Sequence, residues 1–483
     1  MDGRRDCRRS VLRRMLRRLP CALLALGLTA TLGSAGVLAA RRAQELTGRG
    51  AVEQPSLNAA YAQGSEGPAP EAETAHPARF ATNLTYTSLD APDDGSAVAR
   101  VTWDDAWFSA DEGDYNHELA QTSSVLAALA YSESGYYQAR ENHPPYMENA
   151  LASLGFGEVS TESYRYRSKV VDEVLDLATG DADGAAYTIA RKRLGSGHDD
   201  PARDLILVSA RGSYGSEWLS NLDLSRDEAG DHGGYVRAAR EIGAEVVSWV
   251  EESRALGAEV SVLLVGHSRG GAIANLVAAE LDDLRARAGD AAPFGPVYAY
   301  TFAAPATTLA SDARSERYGN IFNIANPSDI MPYLPLSAWG YERYGVDLEL
   351  PSAGCADFDR LEDEMRAVYR ESVGVECSAD AADVLIARTV CDNIAAAVGS
   401  AEELVTPVGA LTTFRLLATH VDPVRILYSH YPSTYIAWMS VTDESQLGTG
   451  TNWDISGRCG RNSPKSPEVP APLAMSQFVP VPN

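Results

Sequence analysis

Positive charge is in short supply. The 483 residues carry 41 Lys+Arg against 66 Asp+Glu, a net charge of −25. Eight of the bases and two of the acids precede residue 40, which leaves 33 against 64 and a net charge of −31 for the rest. A body this acidic repels phosphate backbones, so nucleic acid is not an expected partner. Long apolar runs are missing beyond the first forty residues, and nothing there has the length to span a bilayer. Cysteine is sparse, six in all. The spacings give no tight Cys/His cluster of the kind that holds zinc, and no metal or organic cofactor is implied. With 45% hydrophobic and 22% charged residues, the chain is neither wholly disordered nor a polytopic membrane protein.

The first segment reads as an address. Eight arginines from Arg4 to Arg18 precede an uncharged stretch from Leu19 to Ala40 that ends in the small-x-small pattern of Val37, Leu38 and Ala39. Arg8-Arg9-Ser10-Val11-Leu12-Arg13 is similar to a twin-arginine signal. Residues 1–39 are therefore expected to be an export signal, cleaved rather than retained as an anchor, with the remainder extracellular or at the cell surface. Cys355, Cys377, Cys391 and Cys459 remain after that segment. An even number in an exported chain predicts two disulfides, with three possible connectivities.

Composition then divides the chain. Residues 40–98, rich in Ala, Pro, Glu, Gly and Ser, are expected to be a disordered linker. Residues 446–483 are expected to be a Pro-rich tail. Between them, over 99–445, strand and helix patterns alternate. Helical spacing marks Tyr115–Ser132 and Pro145–Leu154, and Tyr235, Ala239, Ile242, Val246 and Trp249 form one apolar stripe. Ala186–Ala190, Asp204–Ser209, Val260–Val265, Val297–Phe302 and Asn320–Ala325 read as strands. Such alternation predicts an α/β fold with a mostly parallel central sheet and helices on both faces. Residues 355–420 turn helical and interrupt it, as a cysteine-bearing cap or insertion would.

Gly266-His267-Ser268-Arg269-Gly270 is a G-x-S-x-G pentapeptide. It follows an apolar strand and opens a helix with Ile273, Leu276, Val277, Leu281 and Leu284 on one face. This is the context a nucleophile elbow requires, with Ser268 at a sharp turn and the first helical amides turned toward a developing oxyanion. A serine needs a base to take its proton. The chain order serine, acid, histidine leaves His420 and His430. His420 ends a helix, whereas His430 lies between Ile426-Leu427-Tyr428 and a helix opened by Pro432, so His430 is the candidate base. Asp329, in the turn Asn326-Pro327-Ser328-Asp329 after a strand, is the candidate acid. Backbone amides of Ser213, after the strand ending Val208-Ser209-Ala210, and of Arg269 are the candidate oxyanion donors.

Taken together these residues resemble the class 3 lipases, the fungal-lipase-like branch of the α/β-hydrolase superfamily. The resemblance spans about residues 115–350 and 425–440. Arg211, Gly212, Ser213, Trp218, Asn221 and Leu222 match the oxyanion segment, and His232, Gly234 and Tyr235 a His-x-Gly-aromatic segment. Gly266 to Gly271, Asp329 with Pro332, and His430 with Tyr435 and Trp438 match the rest. Arg269 departs from the family, as many fungal members have Leu there. The resemblance implies an exported hydrolase of carboxylic esters, acylglycerols or phospholipids, working through an acyl-enzyme. A lipid or ester substrate, met at a lipid–water interface, is the implied partner, and no protein partner is. An acyltransferase or peptidase on the same fold, or a catalytically silent surface-binding module, are the alternatives.

Overall fold

The computed structural model describes residues 78–92, 95–138, 145–164, 186–195, 202–213, 230–231, 233–353, 355, 357–404, 406–420 and 428–450. Its strands are β1 (Arg79–Thr87), β2 (Ser96–Asp104), β3 (Glu158–Ser160), β4 (Tyr187–Leu194), β5 (Arg203–Ala210), β6 (Glu259–His267), β7 (Val297–Phe302), β8 (Ile321–Ala325), β9 (Val346–Glu349) and β10 (Gly448–Gly450). Among the described residues eight of these form one sheet, in the order β10-β9-β8-β7-β6-β5-β4-β3. Strands β5 to β9 run parallel, and β3, β4 and β10 pair antiparallel at the edges. This is the mostly parallel sheet of an α/β-hydrolase, with β6 inside it.

The apolar runs read from the sequence are buried on both faces, and period 2 divides each run between two cores. In β6, Val260, Val262 and Leu264 join one cluster while Leu263 and Val265 join the other. The first cluster is closed by α3 (Gly233–Ala255) and α4 (Arg269–Ala288), the helices that follow β5 and β6. The predicted stripe from Tyr235 to Trp249 is the buried face of α3. The second face is covered by α1 (His117–Gln138), α2 (Tyr146–Ser153), α5 (Phe358–Val373) and α9 (Pro432–Val441).

Three expectations are corrected. The linker expected over 40–98 stops short of residue 79, because β1 and β2 form an antiparallel hairpin pairing Arg79 with Asp104 and Thr87 with Ser96. Leu84 and Tyr86, with Ala97, Ala99, Val101 and Trp103, point into the core, while Asn83, Thr85, Val98 and Arg100 face out. That period-2 alternation is masked by the Ala- and Pro-rich composition upstream. The tail expected from 446 likewise begins later, since β10 pairs with β9 through Gly450. The expected pair of disulfides is not formed among 355, 377 and 391. Cys355 is disulfide-bonded, but Cys377 and Cys391 are free thiols buried in apolar surroundings.

The helical block divides in two. Helix α5 buries Phe358, Leu361, Met365, Tyr369 and Val373 in the main core. Helix α6 (Asp383–Ala397), followed by α7 (Ala401–Leu404) and α8 (Pro407–His420), instead makes a satellite core. There Ala387, Val390, Cys391 and Ile394 pack on Ile330, Met331, Leu334 and Leu336. The export signal, the greater part of the linker and the tail lie outside the described residues, as do Trp218, Asn221, Leu222, His232 and Cys459. No helix among the described residues is long and apolar enough to cross a membrane.

Candidate active site

Ser268 stands between the end of β6 and the start of α4 with φ 56° and ψ −130°, a strained conformation for a residue with a side chain. Two glycines make the turn possible by close approach. A Cβ on Gly266 would overlap the Gly270 carbonyl, and one on Gly270 would overlap the carbonyl of Ala210 in β5. The Ser268 amide is tied to the Phe302 carbonyl at the end of β7, 2.9 Å away. The elbow is thus clamped between its two neighbouring strands.

Asp329 lies in the turn after β8, and its side chain is fully buried. His430 precedes α9, which starts at Pro432 with proline's fixed φ suited to a first helical turn. These two segments come together at the C-terminal ends of the parallel strands. His430 Nε2 is 3.0 Å from Ser268 Oγ, and His430 Nδ1 is 2.8 Å from Asp329 Oδ2. A carboxylate oxygen only accepts, so Nδ1 carries the proton and Nε2 presents its lone pair to the serine hydroxyl. Asp329 Oδ2 also accepts from the Tyr435 hydroxyl at 2.8 Å, and Oδ1 from the Met331 amide at 2.9 Å. Asn326 fastens the two segments, accepting no slack between them: its amide donates to Tyr435 and its side chain to the Ser429 carbonyl, both at 3.0 Å. Ser268, Asp329 and His430 are all buried.

Ser213 lies three residues beyond the end of β5, and Arg269 is the first residue of α4. Both are therefore on the segments flanking the elbow. The Arg269 side chain is buried, and its charge acts on the Tyr235 phenol rather than standing at an open mouth. His420 is the last residue of α8 and His430 the one joined to Ser268 and Asp329.

One residue at the site was not singled out from the sequence. Tyr131 on α1 places its hydroxyl 3.0 Å from Nδ1 of His267. The His267 ring in turn lies against His430, with centroids 4.9 Å apart, and against Tyr435 at 5.5 Å. Burial, with His430 beside it, pushes the His267 pKa well below the usual imidazole value, so the ring is neutral. A tyrosine two-thirds along an apolar helix carries no motif, and only the 136-residue separation closed by the fold gives it meaning.

A cavity of about 110 Å³ opens elsewhere, between α6 and the segment after Asp329. Tyr333, Leu336, Arg343, Glu349, Arg388 and Cys391 line it, and none of Ser268, Asp329 or His430 does.

A sharp serine turn on the central strand, a histidine at its hydroxyl and a buried carboxylate behind the histidine thus meet at one end of the α/β sheet. Residues 207–339 match the model of the Lipase (class 3) family. It is similar to a secreted mono- and diacylglycerol lipase 1 of Fusarium solani, 27% identical over 151 residues. That match covers 29% of this chain and 43% of the relative, so the chain spans less than half the length of that relative. Among solved structures, a Rhizomucor miehei lipase–propeptide complex is similar at 19% identity and a TM-score of 0.34, covering 49% of this chain and 70% of the other. A lipase of Rhizopus microsporus var. chinensis is similar at 17% identity and a TM-score of 0.31, covering 47% and 72%.

Proposed function

We propose that this chain is an exported serine hydrolase that cleaves carboxylic esters of lipids, acylglycerols or phospholipids, through an acyl-enzyme. The observation that carries the reading is His430 bridging Ser268 and Asp329 at 3.0 and 2.8 Å. The match of residues 207–339 to the Lipase (class 3) model supports the lipid ester as substrate class. The word secreted in the name of the Fusarium solani relative agrees with the arginine-led N-terminal segment.

Each residue then has one task. Ser268 Oγ bonds the ester carbonyl carbon while its proton passes to His430 Nε2, and the carbonyl electron pair moves onto oxygen. The amides of Ser213 and Arg269 receive that oxyanion, a type of donation worth about 3 kcal/mol of barrier for each donor. Asp329 holds the imidazole in its working tautomer and stabilises the imidazolium. His430 next protonates the departing alcohol as the C–O bond breaks. Water, deprotonated by the same nitrogen, then releases the fatty acid and restores Ser268. In this reading α6, α7 and α8 form a cap beside the acid, whereas α5 is a core helix.

A fluorophosphonate tests the assignment, because it bonds an activated serine and ignores an ordinary one. Mass spectrometry is expected to find one adduct, on the peptide containing Ser268, and a p-nitrophenyl ester series of rising chain length to be hydrolysed by the native enzyme and not by Ser268→Ala. Labelling at another residue, or turnover that survives Ser268→Ala, would overturn the reading. Acyl transfer to an added alcohol or cleavage of a peptide in preference to ester hydrolysis would move it to an acyltransferase or a peptidase.

A further inference from the structure

We propose that Arg343 is a positioning residue of the site, one that fixes the separation between Ser268 and Asp329 without touching either. This rests on the hydrolase reading above and adds to it a determinant of the rate. Arg343 lies between β8 and β9, and its side chain is buried. A guanidinium presents its donors in a rigid planar fork, so fixing one edge of it aims the other. The fixed edge faces Asp347 in β9, where Nε donates to Oδ1 at 2.9 Å and Nη2 to Oδ2 at 2.7 Å. Arg314 Nη2 donates to the same Oδ2 at 2.6 Å, and its own Nε to Glu342 at 2.6 Å. Burial opposes ionisation of Asp347, but the charges of Arg343 and Arg314 outweigh it and bring the pKa down to about 2. The pair therefore stays charged throughout the neutral range.

The other edge carries Nη1, which donates to two carbonyls, Pro332 at 2.6 Å and Ala304 at 3.0 Å. These belong to the two halves of the site. Pro332 follows Met331, whose amide holds Asp329 Oδ1 at 2.9 Å. Ala304 lies two residues beyond the end of β7, where the Phe302 carbonyl accepts the Ser268 amide at 2.9 Å. Ala304 also abuts the first turn of α4, since a Cβ on Gly271 would press on its side chain. One nitrogen thus joins the turn bearing the acid to the segment that clamps the nucleophile.

That segment needs holding. Ala303, between Phe302 and Ala304, has φ 52°, and among the described residues Ser268 is the one other non-glycine with a positive φ. Such backbone persists only where its surroundings over-determine it. The Ala303 amide bonds the Ile324 carbonyl of β8 at 3.0 Å, and the Ala304 carbonyl accepts from Arg343. His430 spans the gap from Ser268 to Asp329 with contacts of 3.0 and 2.8 Å, so drift of either end lengthens one of them. A misplacement of about 1 Å can cost about 100-fold in rate.

The test compares native enzyme with Arg343→Lys and Arg343→Ala on p-nitrophenyl butyrate, each scaled to the number of sites that a fluorophosphonate titrates at completion. Lysine keeps a charge beside Asp347 but cannot fork between it and two carbonyls. Both variants should lose about 10- to 100-fold in kcat per titrated site, with KM within about threefold. Guanidinium ion at sub-denaturing concentration should enter through the cavity that Arg343 lines and raise the kcat of Arg343→Ala, leaving the native enzyme unchanged. Met365→Ala, a loss of main-core packing, supplies the stability control. A kcat per site within about threefold of native in Arg343→Lys overturns the proposal. So does a loss confined to the number of titrated sites, or one that Met365→Ala reproduces per site, since either makes Arg343 purely structural. Failure of guanidinium to act on folded Arg343→Ala overturns it as well. Should Arg343→Ala not fold, Arg343→Lys carries the test alone. Absence of ester turnover and of Ser268 labelling in the native enzyme would instead remove the hydrolase reading, and this inference with it.

Discussion

Tyr435 and His430 meet on one atom: both bond Oδ2 of Asp329, each at 2.8 Å. The Asp329 carboxylate is therefore shared, and the two donors come from one short stretch around the start of α9. The same Tyr435 oxygen accepts the Asn326 amide, so it links the turn bearing the acid to the helix following the base. Burial and the nearby Asp329 charge raise the Tyr435 pKa, which keeps it a donor.

Tyr435→Phe removes both bonds in one change. The expected result is a fall in kcat of about tenfold or more, since a hydrogen bond to a charged group is worth about 1.5–3 kcal/mol, together with a lower melting temperature. Steady-state kinetics and thermal melts measure the two effects. Unchanged kcat would mean that His430 and Met331 alone hold Asp329.

His430→Ala is expected to reduce kcat by about four orders of magnitude or more with little change in KM, because the proton transfer belongs to the transition state. His420→Ala, at the end of α8, should leave kcat within about threefold. The reverse outcome in the same assay would reassign the base.

The placement of these residues was legible because each rests on a local pattern. The apolar run ending at Val265, the glycines at 266 and 270, and the strand before Asn326 each announce their geometry within a few residues. His430 could be separated from His420 because a boundary loop differs from a helix end in sequence. Helix periodicity could not separate α5 from α6, since a face that joins the main core and one that joins a satellite core have the same spacing. Cysteine parity failed for a related reason. Burial among apolar side chains suits Cys377 and Cys391 as free thiols, and a count carries no information about burial. Tyr131 gains His267 as a partner only through the fold, across 136 residues.

Gly270→Ala tests the close packing at the elbow. The added methyl would occupy the space of the Ala210 carbonyl, a backbone atom in a sheet strand that has no room to yield. Loss of soluble folded protein, or a destabilisation of several kcal/mol by chemical denaturation, is the expected result. A stable and active variant would contradict the described contact between α4 and β5.

Ile394→Ala and Met365→Ala should have different signatures. Met365 belongs to the main core, so its truncation should lower global stability by about 2–5 kcal/mol and leave kcat of the folded enzyme nearly intact. Ile394 packs in the satellite core with Met331, whose amide bonds Asp329. Its truncation should lower kcat more than global stability. Denaturation curves and kcat measured on the same preparations distinguish the two, and equal profiles would mean that α6 has no hold on the acid.

Glu133 gives stability a dependence on pH. Its side chain is fully buried on α1, with Oε2 accepting the Met147 amide at 2.8 Å and Oε1 without a partner among the described residues. Burial, the largest influence, pushes its pKa from 4.5 up to about 7; the Met147 amide opposes the rise and Glu148 adds to it. The folded state thus binds this proton more tightly than the unfolded chain does. Its contribution to stability is complete below about pH 4.5 and is lost as pH rises through about 7. The gap between the two values corresponds to about 3 kcal/mol. Asp282, which burial also raises to about 7, acts in the same window. Glu133→Gln keeps an acceptor for Met147 and removes the charge. It should therefore melt above the native protein at pH 8, match it more closely at pH 5, and remove about half of the decline between them. A native-like pH profile in the variant would show that Glu133 is ionised in the folded protein at no cost, and that the decline belongs to Asp282 and the other buried acids, Asp90 and Glu349.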